Sequence, residues 1–274
     1  MDYKNALKYS EVALSIDTYH QESNYAYGLV NQKLGNITDA KSGFSLASQS
    51  LSLRSASYVE LAALFLSDSN YNKALHYANK VIASDTNNIM AYMISAFAFR
   101  HLQDNENALN AINNILKLDP LSDFSRFENF LLGKSDLPVF NSSITNELPH
   151  ESYLELAATY LQFNDVEAAV LVLKESPQNP IVNLWLANLD SSNQNKYLQN
   201  VLEASAEMVF PHRMETSDFL ETMIQTNSHW KLKYYLGLIY WHKGLTEKAS
   251  NLFKQCQNEP EIAAFYLNKL KLID

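Results

Sequence analysis

Along most of the chain the apolar residues recur at three- and four-residue intervals instead of alternating, the spacing of helices with one buried face. "YKNALKYSEVALSI", "NYNKALHYANKVIAS" and "NENALNAINNILKL" all carry it, and only 6 Gly and 7 Pro interrupt 274 residues. Short polar steps such as "NITDA" and "NYNKA" separate the periodic runs, where turns are expected. The pattern predicts an all-α chain.

The helices repeat. Ala6, Ala40, Ala74 and Ala108 lie 34 residues apart. A second small residue stands twelve positions before three of them, at Gly28, Ala62 and Ala96, and a packing position follows four later, at Ser10, Phe44, Ala78 and Ile112. Units close on "SIDT", "ASDT" and "KLDP", where helix propensity falls or is broken. Small residues on facing helices let two backbones approach closely, so each unit reads as a helix pair.

This pattern resembles the tetratricopeptide repeat, a 34-residue pair of antiparallel helices. The resemblance implies an α-solenoid, a right-handed superhelix. It places the small residues at the eighth and twentieth positions, a filler at the twenty-fourth and an inter-repeat contact at the twenty-seventh (Ala13, Ala47, Val81, Ile115). "KYYLGLIYWHKGLTEKASNLFKQC" fits with Gly237, Gly244, Ala249, Phe253 and Cys256 at the eighth, fifteenth, twentieth, twenty-fourth and twenty-seventh positions. "ESYLELAATYLQFNDVEAAVLVL" fits with Ala157, Ala169 and Leu173. Between them lies a helix pair of shortened register, with Ala187 near its eighth position.

The expected organisation is an N-terminal array over 1–120, a helix (about 123–133) plus irregular connection over 121–149, a second array over 150–260 and a capping helix over 261–274. Residues 2–18 match only the second helix of a repeat, so the sequence reads as a piece of a longer protein. A narrower resemblance, carried by "ITNELPHESYLELAATYLQFNDVEAAVLVL", "EMVFPHRMETSDFLETMI" and "KYYLGLIYWHKGLTEKASNLF", is to the C-terminal half of a bacterial family of unknown function. It implies a β-rich, carbohydrate-enzyme-like domain upstream, which would hold any catalytic site.

Charge narrows the partners. The net charge is −9, with 9 basic against 11 acidic residues up to position 120 and 12 against 19 beyond it. There is no basic cluster to follow a phosphate backbone, so nucleic acid is not expected. The first residues lack a signal peptide and no apolar run spans a bilayer; the expectation is a soluble, cytoplasmic chain. One cysteine, Cys256, excludes an intrachain disulfide, and its repeat position suggests an inert thiol.

No motif for catalysis, metal or cofactor stands out among the seven histidines. His229 with Trp230, and Trp241 with His242, read as packing groups at helix ends, with an aromatic pocket as the alternative; Arg213 in "VFPHRM" reads as part of a turn, with an anion contact as the alternative. The remaining candidate is the concave groove. The resemblance implies that second, fifth, ninth, twelfth and thirteenth positions of each first helix point into it. They nominate Tyr25, Leu29, Met93, Phe97, Arg100, Leu154, Tyr234, Leu238 and Trp241 as partner-binding residues. With few cations there, a carboxylate clamp is disfavoured. The expected function is a non-catalytic scaffold binding a protein segment or its own N-terminal domain. The alternative is an accessory region of a larger enzyme.

Overall fold

A computed structural model describes residues 2–256, and every regular element among them is helical. They are α1 (Tyr3–Ile16), α2 (Gln21–Lys33), α3 (Ile37–Ala47), α4 (Arg54–Ser67), α5 (Tyr71–Ser84), α6 (Ile89–His101), α7 (Asn105–Leu118) and α8 (Asp123–Leu131). There follow α9 (Leu137–Ser143), α10 (Pro149–Gln162), α11 (Val166–Lys174), α12 (Pro180–Leu189), α13 (Gln194–Glu203), α14 (Met214–Met223), α15 (Trp230–His242) and α16 (Thr246–Lys254). The helices α2 and α3, α4 and α5, α6 and α7, α12 and α13, and α15 and α16 pack as hairpins, giving a tetratricopeptide-like helical repeat. The described residues form two compact units, 2–145 with 160–165, and 146–159 with 166–256.

The hairpin turns follow from local chemistry. The first helices α2, α4, α6 and α15 are each followed by a residue with positive φ: Gly35 (79°), Ser69 (57°), Gln103 (60°) and Gly244 (75°). The next amide then reaches back to close the exposed helix end. Asn36 N–H donates to Asn31 O at 2.9 Å, Asn70 N–H to Phe65 O at 2.8 Å, Asp104 N–H to Phe99 O at 2.9 Å, and Leu245 N–H to Tyr240 O at 2.8 Å. Asn70 and Asp104 serve twice, since their side chains also accept the amides of Lys73 and Asn107 and so start the second helix. These two polar residues thus stop one helix and begin the next.

Inside the hairpins the eighth and twenty-fourth positions trade size. Gly28 faces Phe44, and Gly237 faces Phe253, so closely that a Cβ would lie 2.8 Å and 2.5 Å from the respective rings. Where the eighth residue is Ala62 or Ala96, its counterpart sixteen residues on is the smaller Ala78 or Ile112, and all four are fully buried. Gly43 lets α3 lie directly on the backbone of α2: an added Cβ would stand 2.6 Å from the Asn24 carbonyl oxygen. Ala40, Ala74, Ala108, Ala157, Ala169 and Ala249 are fully buried as well, whereas Ala6 on α1 is exposed.

The stretch read as irregular after α8 contains a helix, α9, which corrects that expectation. Pro138 occupies its first turn, where a missing N–H costs nothing. Phe140 anchors it, fully buried with its ring 5.0 Å from that of Phe127. Tertiary packing therefore stabilises a segment whose polar composition signals a loop. The first helix in this region also ends two residues earlier than expected, at Leu131. In the second unit, Trp185 is buried with its indole N–H donating to Thr216 Oγ1 at 2.8 Å, which pins α14 to α12. The helix expected over 261–274 lies outside the described residues.

Candidate functional site

In the first unit, three successive first helices present equivalent side chains. The fifth positions Tyr25, Val59 and Met93, on α2, α4 and α6, are all half-buried. Leu29, at the ninth position of α2, is 36% exposed, while its equivalents Ala63 and Phe97 are buried. The Tyr25 ring rests edge-on against Phe44 at 5.5 Å, so the core beneath holds it in place while part of it faces outward.

A carboxylate lies at the edge of this strip. Glu60 on α4 is half-buried, and Gln32 Nε2 on α2 donates to its Oε2 at 3.2 Å. Burial raises the Glu60 carboxyl above the ordinary carboxylate value, against the smaller opposing effects of the Gln32 hydrogen bond and the Lys33 charge. Burial, and then the Glu60 charge, also raise the Tyr25 hydroxyl. Glu60 was not among the sequence candidates. Its signal is a lone acid in the apolar run "SYVELAALFL".

Farther along the same unit the expected groove positions become interior. Arg100 on α6 donates from Nε to Glu128 Oε2 at 2.8 Å and from Nη2 to Glu128 Oε1 at 3.1 Å, a fork-to-fork pair. Glu128 on α8 is fully buried, and the Tyr160 hydroxyl donates to its Oε1 at 2.8 Å. Asp165 adds contacts of 3.4 Å to both Arg100 and His101. Burial lowers the affinity of the Arg100 guanidinium for its proton, but Glu128 more than offsets this and the net direction is upward. Burial, reinforced by the Glu128 charge, holds the Tyr160 hydroxyl far above its usual range. The Phe97 ring is buried beside this cluster, 4.4 Å from His101 and 5.1 Å from Phe163. Arg100 and Phe97 therefore fix the interior of this unit instead of facing a partner.

In the second unit Leu154, Tyr234 and Leu238 are likewise buried, and Trp241 is half-buried. The reason is the same in each unit: an apolar side chain between packed helices is covered by its neighbours. His229 caps α15, its ring accepting the Lys231 amide. The Lys231 ammonium donates to the carbonyls of Leu202 and Ala204 and so closes the end of α13. Arg213 donates from Nε to Glu151 Oε2 at 3.1 Å and from Nη2 to the Glu151 carbonyl at 3.3 Å, tying its segment to the start of α10. Burial pushes the Cys256 thiol up to about 11, and its Sγ lies 3.3 Å from the Leu252 carbonyl. That thiol is poorly suited to nucleophilic work.

The remaining surface of the first unit carries lysines on rings. Lys41 and Lys73 lie 4.3 Å and 5.1 Å from the Phe65 centroid, and Lys80 lies 5.0 Å from that of Tyr58. Lys41 also pairs with Asp68. These contacts brace α3, α4 and α5. Among the described residues no group of three or more His, Cys, Asp or Glu is arranged to hold a metal ion, and no helix is long and apolar enough to cross a membrane.

No protein-family model matches the chain, and no curated protein matches its sequence. Solved structures to which it is similar include a tetratricopeptide repeat protein from Parabacteroides merdae, at 16% identity over 92% of this chain and 98% of that one, with a TM-score of 0.41. Yeast Tom70 matches at 16% identity over 98% of this chain and 59% of that one, with a TM-score of 0.46. A chain of the APC/C hetero-tetramer Cut9–Hcn1 matches at 16% identity over 98% of this chain and 52% of that one, with a TM-score of 0.38. The likeness is one of fold alone.

Proposed function

We propose that this chain is a non-catalytic interaction scaffold whose first unit holds a protein segment on the strip formed by α2, α4 and α6. The observation that carries this reading is the ladder of fifth positions. Tyr25, Val59 and Met93 stay half-buried, with Leu29 more exposed beside them, while the repeat's packing residues from Ala40 to Ala108 are fully buried. Rigid aromatic and aliphatic groups on a preformed backbone lose little entropy when covered, which suits them as anchors. Buried Phe97, Leu154, Tyr234 and Leu238 are left out of the surface, so the anchors reduce to Tyr25, Leu29, Val59 and Met93.

The test is capture of a partner from source-cell extract by the parent chain and by the Leu29→Glu/Met93→Glu variant, with circular dichroism showing both equally helical. A partner held by the parent and lost by the variant supports the strip as the binding surface. Equal capture by both removes it. The alternative occupant is a β-rich domain of the same polypeptide, following the narrower family resemblance. In that case the strip would be protected from hydrogen exchange in a longer polypeptide and no separate protein would compete for it.

A further inference from the structure

Glu60 gives this strip a chemical preference. Its carboxylate is already half out of water, yet among the described residues it has one hydrogen-bond donor, Gln32 Nε2 at 3.2 Å, and no lysine or arginine within the 4.0 Å of an ion pair. Lys33 is the positive charge that acts on it, and that residue is exposed to solvent. A segment lying across Tyr25, Leu29 and Val59 removes the remaining water from Glu60. Under a purely apolar cover the charge would be left with a single donor, an unfavourable state for an ion. An acidic segment would add repulsion to that cost. A lysine or arginine in the segment reverses the balance, because the desolvated carboxylate then gains a charge-assisted partner.

Resting on the reading of the strip as a binding surface, we infer that its occupant is an apolar segment carrying one basic side chain, lysine or arginine, seated on the Glu60 carboxylate. The neighbouring apolar residues of that segment lie against Tyr25, Leu29 and Val59. Glu60 acts here as the specificity determinant and the aromatic and aliphatic groups as the anchors.

The experiment is selection of peptides from a random phage-displayed library on the full chain, on Glu60→Gln and on Leu29→Glu, each checked for helicity. The expected result is enrichment on the parent of apolar peptides with a lysine or arginine at a constant place. The selected peptide should lose roughly tenfold in affinity on Glu60→Gln, and a synthetic version with norleucine at the basic place should reverse the order and bind Glu60→Gln more tightly than the parent. If peptides enriched on the parent and lost on Leu29→Glu carry no basic residue, or bind Glu60→Gln as well as the parent, the inference is overturned while the strip stands. If no enriched peptide depends on Leu29, the strip itself is not the binding surface and both readings fall.

Discussion

Replacing Gly28 by alanine places a methyl group 2.8 Å from two atoms of the Phe44 ring and 3.0 Å from a third. Ordinary contact begins near 3.4 Å, so the ring must retreat by about 0.6 Å, and it has little room because Phe44 is fully buried against Leu61, Leu64 and Tyr25. Alanine gains about 1 kcal/mol over glycine as a helix former, and overpacking costs about 1–3 kcal/mol, so Gly28→Ala should be destabilising by about 0–2 kcal/mol. Phe44→Ile alone leaves a void beside the glycine and should cost about 2 kcal/mol. The double variant recreates the Ala96 and Ile112 combination of a neighbouring repeat, both residues being fully buried there. It should therefore be more stable than the sum of the single effects by about 1–2 kcal/mol. Native-state hydrogen exchange of the α2 and α3 amides is the suitable assay, since a repeat array need not unfold in one step. Additive effects within about 0.5 kcal/mol would refute the size trade between the eighth and twenty-fourth positions.

Other outcomes follow from the same geometry. Gly43→Ala meets backbone instead of a movable ring, so it should destabilise the first unit by about 2 kcal/mol or more in urea denaturation, exceeding Gly28→Ala. Ser69→Gly and Gln103→Gly relieve positive φ and should each stabilise by about 0.5–1 kcal/mol, measured by local hydrogen exchange; Gly35→Ala should act in the opposite direction. Arg100→Met strands the buried Glu128 carboxylate and should cost about 3–5 kcal/mol, whereas Arg100→Met/Glu128→Met should recover most of it in thermal unfolding. Glu60→Gln should raise stability at neutral pH. The folded carboxyl holds its proton more tightly than the unfolded one, so its contribution is complete below the unfolded value near 4.5 and is lost as pH rises through the folded value. The advantage of the variant should therefore shrink on acidification, and an advantage constant with pH would contradict the assignment.

The repeat was legible because its determinants are periodic and local in type. Ala40, Ala74 and Ala108 recur at a fixed interval because backbones approach there, and Gly28 and Gly237 mark where a phenylalanine faces them. The turns were only partly legible. Gly35 and Gly244 signal positive φ, but Ser69 and Gln103 adopt it without a glycine because the shared hairpin geometry imposes it. The α9 helix was hidden, since its stability rests on Phe140 meeting Phe127, a contact that no local pattern encodes. The candidate surface was legible as a strip and not as a residue set. Spacing assigns Phe97 and Tyr25 to the same face, but only packing decides that Phe97 is buried and Tyr25 half open. Glu60 is the one acid of the apolar helix α4, and Glu128 shares α8 with Asp123 and Arg126. The structure separates them, pairing Glu128 with Arg100 and leaving Glu60, among the described residues, with a single amide donor.

The most direct test of the scaffold account is site-specific photo-crosslinking in source-cell extract. A benzophenone-bearing residue would be placed at position 29 or 93 on the strip, or in place of Lys80, which lies over the Tyr58 ring on α5. The account predicts a discrete crosslinked polypeptide from positions 29 and 93 and none from 80. No adduct from the strip, or the same adduct from position 80, would contradict it.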